Sequence, residues 1–321
     1  MLILDSSIAL AVAHYLPGLL IVKLLDIGRD REERFVFCCV FGGPISALIY
    51  FVSVQLDWQL LYWVVLGGIA LGAVLVPFRS TTNFAWPQTT KLMVIGTLVL
   101  VLSAYSFTTG SFYGPDGSGN YWLDQTLQRD TLFHVGIIRS LEYGYPPSLL
   151  SVSGEPVGYH VGHHLQLAAW AHYFGIDAVD GLVKTGAIWQ LTLLILSAII
   201  LSRRFTKDFF AQTIAPVLIF GSGLGFLAFS IPSVDWWSLI FLDVAVVSLF
   251  LANPFLPALP LLFTGLVLLD DYMTEKRRGA LIGSVFCFAF VLVVKMFIGA
   301  QLIAALGLAW VVCWYDRDLR N

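Results

Sequence analysis

The stretch RDTLFHVGIIRSLEYGYPPSLLSVSGEPVGYHVGHHL, residues 129–165, interrupts a chain that is otherwise strongly apolar. The loop that contains it, residues 110–165, gathers acids and most of the histidines. Transmembrane segments offer no water and few ionisable groups, so a polar loop between them is where a membrane protein can carry chemistry. We therefore expect an all-α, polytopic bundle of transmembrane helices with a functional outer loop.

The composition places the chain among membrane proteins. It is 58% hydrophobic and 12% charged, whereas a soluble domain carries about 25% charged residues. A net charge of -3 is close to neutral and argues against a nucleic-acid partner. All four cysteines lie in apolar runs, which predicts buried thiols rather than a disulfide framework or a zinc–thiolate site. The N-terminus MLILDSS lacks a basic segment, so we expect the first apolar run to be retained as a span.

Hydrophobic runs predict the number of spans, because about 17–25 apolar residues cross a bilayer. About nine such runs lie near 6–25, 35–56, 59–78, 91–109, 181–202, 209–231, 254–270, 279–295 and 297–314. Two shorter runs, near 161–175 and 237–252, are expected as re-entrant or interfacial helices. The prediction is a single transmembrane domain over 1–321, made of N-terminal spans (1–109), the outer polar loop (110–165) and C-terminal spans (166–321).

Lysines and arginines in the short loops predict the orientation. They cluster in five places, at Lys23, Arg29, Arg31 and Arg34, at Arg79 and Lys91, at Arg203, Arg204 and Lys207, at Lys276, Arg277 and Arg278, and at Arg317 and Arg320. All five groups are cytoplasmic if the N-terminus is outside and neither short run completes a crossing. Residues 110–165 then lie outside the cytoplasm, and Lys295 lies at the outer end of its span.

Within the outer loop, residues 128–143 predict an amphipathic helix. Asp130 and His134 are one turn apart and are expected to share a face, while Phe133, Ile137 and Leu141 are expected to line another. A carboxylate at this spacing can orient an imidazole, or the two can bind one divalent cation. The alternative is a solvated pair on a surface helix.

A second group follows in YHVGHH, residues 159–164. His160 and His164 have the i, i+4 spacing by which two imidazoles share a metal if the segment is helical. The glutamate of the zinc-protease motif is absent, since Val161 follows His160. The alternative is that these histidines pack as half-polar residues at the membrane interface.

Three further residues are candidates for the same outer site. Asp116 lies in the turn-forming segment GPDGSG, and the alternative is that it is a structural or solvated residue of that turn. Asp124 follows Tyr121 and Trp122, a pattern shared by sugar sites and interfacial aromatic belts. Lys295 interrupts the apolar run VLVVKMFIGA, where a lysine needs a partner or an interface. It can meet a phosphate at the outer headgroup level, or it can extend its charge to the interface as a turn residue.

The chain resembles the GT-C superfamily of multi-pass glycosyltransferases, which use sugars linked to polyprenyl phosphate. The resemblance covers roughly residues 91–315 and rests on RDTLFHVGIIRSLEYGYPP, on GEPVGYHVGHH, and on the later segments NPFLPALPLLFTGLVLL and VVKMFIGAQLIAALGLAW. It implies an inverting sugar transfer from a lipid-phosphate donor outside the cytoplasm, in the plasma membrane of a prokaryote. An acid of the outer loop then acts as general base, often with a divalent metal ion.

The resemblance also implies site residues. The general base is assigned to Asp130, which stands in DTLFH, with Asp124 and Asp116 as further catalytic candidates. Substrate contacts are assigned to Lys295, Arg139, His160, Tyr159 and Glu155. A Mg²⁺ or Mn²⁺ ion is assigned to His134, His160 and His164.

Three other functions remain open from the sequence. Glycine- and proline-rich runs such as FGSGLGFL and NPFLPALP are typical of the discontinuous helices of transporters. A non-catalytic subunit of an envelope-assembly complex and a metal-dependent membrane hydrolase are the other two. The partners expected on the leading interpretation are the lipid-linked sugar and the bilayer.

Overall fold

The computed structural model describes residues 2–78, 91, 95–96, 98–99, 113–115, 121–123, 125–149, 152–208, 211–212 and 255–318. Within these ranges the regular structure is helical except for two short hairpins. The all-α fold class is therefore confirmed. The predicted spans at 91–109 and 209–231 and the run at 237–252 lie largely or wholly outside the described residues.

Residues 2–78 form four α-helices. The first two are joined by a π-helical segment, Leu10–Tyr15, into one continuous rod. Their bounds are α1 Leu2–Ala9, α2 Leu16–Leu25, α3 Arg31–Gln55 and α4 Leu60–Leu75.

Seven further helices lie in the described part of the chain after residue 124. A second π-helical segment, Gly181–Thr185, joins α7 to α8. Their bounds are α5 Gln125–Tyr143, α6 Gly162–Phe174, α7 Ala178–Asp180, α8 Gly186–Phe205, α9 Phe255–Glu275, α10 Arg278–Val294 and α11 Met296–Asp318.

Two antiparallel hairpins lie in the outer loop and had no counterpart among our sequence predictions. Strand β1 (Tyr113–Pro115) pairs with β2 (Tyr121–Leu123), and β3 (Ser148–Leu149) pairs with β4 (Val152–Pro156). Strands of two to five residues are too short for the alternation of apolar and polar residues that identifies a strand.

Seven of the predicted spans coincide with described apolar helices. Four are long and apolar enough to cross a membrane, namely Leu4–Leu25, Arg31–Gln55, Ala178–Phe205 and Leu256–Glu275. Three are shorter, namely Leu60–Leu75, Arg278–Val294 and Met296–Val312. The predicted count of nine spans is not reached within the described residues, but the long apolar helices indicate a membrane protein.

The first span packs against α3 by backbone contact at two glycines. A methyl group on Gly18 would lie 1.8 Å from the carbonyl oxygen of Cys38, and one on Gly42 would lie 1.5 Å from that of His14. Only a residue without a side chain fits at either point. Small residues of this kind let helices approach closely where lipid provides no hydrophobic driving force.

An ion-pair network with buried carboxylates at its centre joins three helix ends at one end of the bundle. We call it the basic-end network, and it consists of Arg29, Asp30, Glu33, Arg203, Arg204, Asp271, Glu275 and Arg277. Arg203 lies 2.7 Å from Asp30, which ties the end of α8 to the start of α3. Arg29 lies 2.7 Å from Asp271, which ties the turn before α3 to the end of α9.

The basic-end network brings together three of the predicted cytoplasmic groups. The basic residues after α2, at the end of α8 and before α10 all belong to it or adjoin it. Lys91 also reaches this end, since its Nζ lies 3.6 Å from Glu32. The expectation that these groups share one side of the bundle is therefore consistent with their contacts.

Helix α6 packs on both α3 and α5 at the opposite end of the bundle. The hydroxyl of Tyr50, near the end of α3, donates to the carbonyl of Leu141 at 2.9 Å. Leu141, Ile137 and Ile138 are buried and form the face by which α5 joins the core. This packing holds the outer-loop helix against the membrane bundle.

Candidate functional site

Two histidines from different helices meet in the interior. Nδ1 of His134 on α5 lies 2.8 Å from Nε2 of His164 on α6, within hydrogen-bond distance. Their side chains are 5% and 1% exposed. One ring must donate and the other accept, so the pair shares one proton along this contact.

Tyr159 and His160 complete the group from the segment that precedes α6. The Tyr159 ring stacks on His160 with centroids 3.9 Å apart. It also lies 5.8 Å from His134 and 5.7 Å from His164, centroid to centroid. We call His134, Tyr159, His160 and His164 the imidazole cluster.

Lys295 lies beside this cluster. Helix α10 ends at Val294, and Lys295 takes an extended conformation before α11 begins. The residue is only 7% exposed and stands between the two helices, and its choice between a phosphate and the interface stays a prediction. The start of α6 adjoins the end of α10, because a methyl group on Gly162 would lie 3.0 Å from the Val293 side chain.

The electrostatics of the cluster keep His160 neutral. Burial lowers its pKa to about 4, and the charges of Lys295 and His134 contribute in the same direction. At pH 7 this imidazole therefore carries one proton and one lone pair. Its Nε2 is buried and has no hydrogen-bond partner within the part of the chain that the structure describes. A buried polar atom in that state calls for a ligand or a water.

The structure describes only part of one of the three acids assigned as catalytic. Asp130 belongs to α5 and lies one turn before His134, so the predicted position on a helix is confirmed. Its side chain, and the whole of Asp116 and Asp124, lie outside the described residues. The pairing of Asp130 with His134 stays a prediction.

Two assigned substrate contacts lie away from the cluster. Arg139 follows His134 by five residues on α5 and pairs with Glu142 and Asp177. Its charge is therefore already shared by two carboxylates. Glu155 lies exposed on β4. Neither residue is part of the imidazole cluster.

Two details of the predicted site are wrong. The condition for a helical i, i+4 pair of His160 and His164 is not met, because α6 begins only at Gly162 and His160 precedes it outside regular secondary structure. The faces of α5 were also misjudged. His134 lies on the buried face with Ile137 and Leu141, whereas Phe133 is 38% exposed.

The described side chains are poorly matched to Mg²⁺ or Mn²⁺. These ions prefer carboxylate and other oxygen ligands, and the cluster offers imidazoles. Nowhere in the described ranges do three His, Cys, Asp or Glu side chains form a set that would hold a metal ion. We therefore derive no step through a metal.

Sequence reasoning missed a second polar group, inside the first span. His14 lies in the π-helical segment and is 1% exposed. The indole of Trp189 donates to its Nδ1 at 3.0 Å, and its Nε2 lies 2.5 Å from the side-chain amide nitrogen of Gln166. A cavity of about 20 Å³, lined also by Gln190, adjoins them and has room for a water.

A signal for this second group was present in the sequence. A histidine in an apolar run of twenty residues needs a polar partner in the bundle, as Lys295 does. The identity of that partner depends on how α6 and α8 pack on the first span.

The chain matches no protein-family model, no curated protein and no solved structure.

Proposed function

We propose that the chain is a glycosyltransferase of a prokaryotic plasma membrane. It moves a sugar from a polyprenyl-phosphate donor to an acceptor hydroxyl on the extracytoplasmic side. The observation that carries the proposal is that the start of α6, which His160 precedes, adjoins the end of α10, which Lys295 follows, and that the buried Nε2 of His160 has no partner among the described residues. A buried cation beside an imidazole that can donate is suited to a phosphate.

The phosphate of the donor lies between Lys295 and His160 in this proposal. Negative charge grows on the phosphate as the bond to the sugar breaks, and a fixed cation stabilises it more in the transition state than in the ground state. His160, neutral at pH 7 because its pKa is about 4, donates from Nε2 to a phosphate oxygen. The buried setting strengthens both contacts.

Asp130 acts as the general base. It takes the proton of the acceptor hydroxyl while the acceptor oxygen bonds to the anomeric carbon and the bond from that carbon to the phosphate oxygen breaks. The lipid phosphate leaves with the bonding electron pair. The His134–His164 contact fixes the rotation of α5 against α6, and thereby the direction of the helix turn that carries Asp130.

The topology assigned to the chain is nine spans with the N-terminus outside. It is supported by four long and three shorter apolar helices that coincide with predicted spans. The basic-end network lies in the cytoplasm in this arrangement, in keeping with the positive-inside rule. The imidazole cluster and Lys295 then lie toward the outer leaflet, where the lipid-linked donor is held.

Transfer from a synthetic polyprenyl-phosphate sugar, measured in membranes that contain the full chain, tests the proposal. We expect Asp130→Asn to lower kcat by about 10²–10⁴-fold, the range for a lost general base. We expect Lys295→Met to weaken transfer by a comparable factor.

Lys207→Met, at an exposed lysine after α8, serves as the control and should leave transfer unchanged. Undiminished transfer by Asp130→Asn excludes Asp130 as the base, and undiminished donor use by Lys295→Met excludes the phosphate site.

A transporter is the second candidate, and one observation favours it. His14, Gln166 and Trp189 form a polar group within the span region next to a cavity, and two spans contain π-helical segments, which are frequent at functional sites. Uptake of lipid-free sugars into vesicles reconstituted with the chain, without any transfer from the lipid-linked donor, is the result that supports it.

A further inference from the structure

An open cleft of about 380 Å³ lies at the C-terminal end of α5, apart from the imidazole cluster. Its lining includes Arg139, Ser140, Tyr143, Tyr145 and Ser148. We propose that this cleft binds a neutral saccharide unit, the acceptor of the reaction or the sugar of the donor. The inference rests on the proposed function for that assignment, although binding itself can be measured without it. The volume is within the range of small-molecule sites, roughly 300–1,000 Å³.

The walls of the cleft are fixed by contacts on both sides. The Tyr145 ring meets Phe51 of α3 edge to face, with centroids 4.9 Å apart. The backbone N–H of Ser148 donates to Oγ of Ser140 at 2.8 Å, which holds β3 on α5. The turn between them is anchored by the N–H of Val157, which donates to the Pro147 carbonyl at 2.7 Å. The part of the site formed by Ser140, Tyr145 and Ser148 therefore needs little ordering when a ligand binds.

The charge of the cleft argues against an anionic ligand. The guanidinium of Arg139 pairs with Glu142 at 3.2 Å and also with Asp177. Neither carboxylate lines the cleft, and Arg139 is its one charged lining residue among the described residues, so the cleft offers a phosphate or a uronate no unshared cation. The donor phosphate is therefore assigned elsewhere, at Lys295, and the cleft is left for an uncharged group.

The side chains present are those that recognise sugars. Tyr143 is 92% exposed and Tyr145 is 41% exposed, so both rings are accessible. Their faces can stack on the C–H face of a pyranose, as aromatic rings combine an apolar body with a polar tip. The hydroxyls of Ser140, Ser148 and the two tyrosines offer donors and acceptors for sugar hydroxyls.

The cleft lies on the helix that carries the proposed base. Arg139 follows Asp130 by nine residues on α5, which is about 13.5 Å along the axis at 1.5 Å per residue and about half a turn around it. A saccharide bound in the cleft therefore reaches the base only as one unit of an oligosaccharide.

Direct binding to the detergent-solubilised full chain tests the inference. Saturation-transfer NMR with maltotriose and diacetylchitobiose as neutral probes is the measurement, with digalacturonate and choline as anionic and cationic comparisons. We expect only the neutral probes to bind. We expect Tyr143→Ala to weaken the binding of these probes about tenfold, which is 1.4 kcal/mol. Tyr143→Phe keeps the ring and should retain most of the affinity. Phe205→Ala removes an aromatic ring that is 82% exposed at the other end of the bundle and is the matched control.

The outcomes separate this inference from the proposed function. Saturable binding of a neutral probe that depends on Tyr143 supports the saccharide site even if the chain transfers no sugar. Binding of choline in place of the saccharides, or no binding that depends on Tyr143, overturns it even if Asp130→Asn abolishes transfer.

Discussion

The imidazoles of His134 and His164 meet through nitrogens 2.8 Å apart although 30 residues separate them in the sequence. Both rings are buried, and each supplies the other with a hydrogen-bond partner. Removing one ring leaves the other without that partner in the interior, whereas removing both leaves an apolar gap. The first change costs the desolvation of a polar group, and the second costs mainly packing.

This asymmetry predicts the result of a double-mutant cycle. His164→Leu alone should lower the free energy of unfolding by about 1–3 kcal/mol. The double variant His134→Leu/His164→Leu should be destabilised by less than the sum of the two single variants. Denaturant unfolding of the solubilised chain, followed by tryptophan fluorescence, measures all three. Additive effects would show that the two rings do not stabilise each other.

Asp271 is expected to be far more important to stability than its neighbour Asp270. Asp271 is fully buried and lies between Arg29, Arg204 and Arg277 at 2.7, 3.2 and 3.2 Å. Asp271→Asn leaves three arginines around a neutral side chain, and breaking a buried ion pair costs about 3–5 kcal/mol.

Asp270→Asn is the matched control for that substitution. The Asp270 side chain is 43% exposed, and its ion-pair contacts are at 3.8 and 4.0 Å. Exposed pairs of this kind contribute about 0–1 kcal/mol. Thermal unfolding of both variants in the same detergent gives the comparison. Equal losses of stability would mean that the basic-end network does not hold the helix ends together.

The large elements could be predicted from the sequence, while the contacts of the site could not. Apolar runs identified the helices, and the helix of the outer loop, expected at 128–143, is observed at Gln125–Tyr143. The position of Lys295 at a helix end also followed from hydropathy. These features depend on local composition and periodicity, which a single sequence records.

The imidazole cluster depends on packing between elements. His134 and His164 meet because α5 lies across α6, and nothing local to either helix specifies that crossing. Because α6 begins only at Gly162, His160 does not belong to the helix in which its spacing from His164 had placed it. The partners of His14 could not be predicted for the same reason, since Gln166 and Trp189 lie 152 and 175 residues away in the sequence.

Acid should destabilise the chain through His160. Its pKa is about 4 in the folded state against 6.5 for an ordinary histidine, so the unfolded chain binds a proton at a higher pH than the folded chain does. The stabilising contribution is complete above pH 6.5 and declines as the pH falls toward about 4.

The melting temperature at pH 7 and pH 5 measures this effect. His160→Gln removes the titrating group and keeps a polar side chain, so its melting temperature should fall less between the two pH values than that of the unsubstituted chain. If the variant shows the same or a steeper fall, His160 is not held neutral in the folded state.

The backbone contact at Gly42 should make that position intolerant of any side chain. A methyl group there would lie 1.5 Å from the carbonyl oxygen of His14, and backbone atoms cannot yield as a flexible side chain does. Gly42→Ala must therefore push the first span away from α3 and loosen the contacts of His14. We expect a loss of about 1–3 kcal/mol, the usual cost of overpacking. Gly67→Ala is the control, since no atom of the described residues lies within 4 Å of a methyl group at Gly67. In the middle of α4 that change should be neutral or stabilising by about 0.4–1 kcal/mol. Thermal unfolding and size-exclusion profiles of the two variants test the pair, and a Gly42→Ala chain as stable as Gly67→Ala would mean that the first span and α3 do not touch through their backbones.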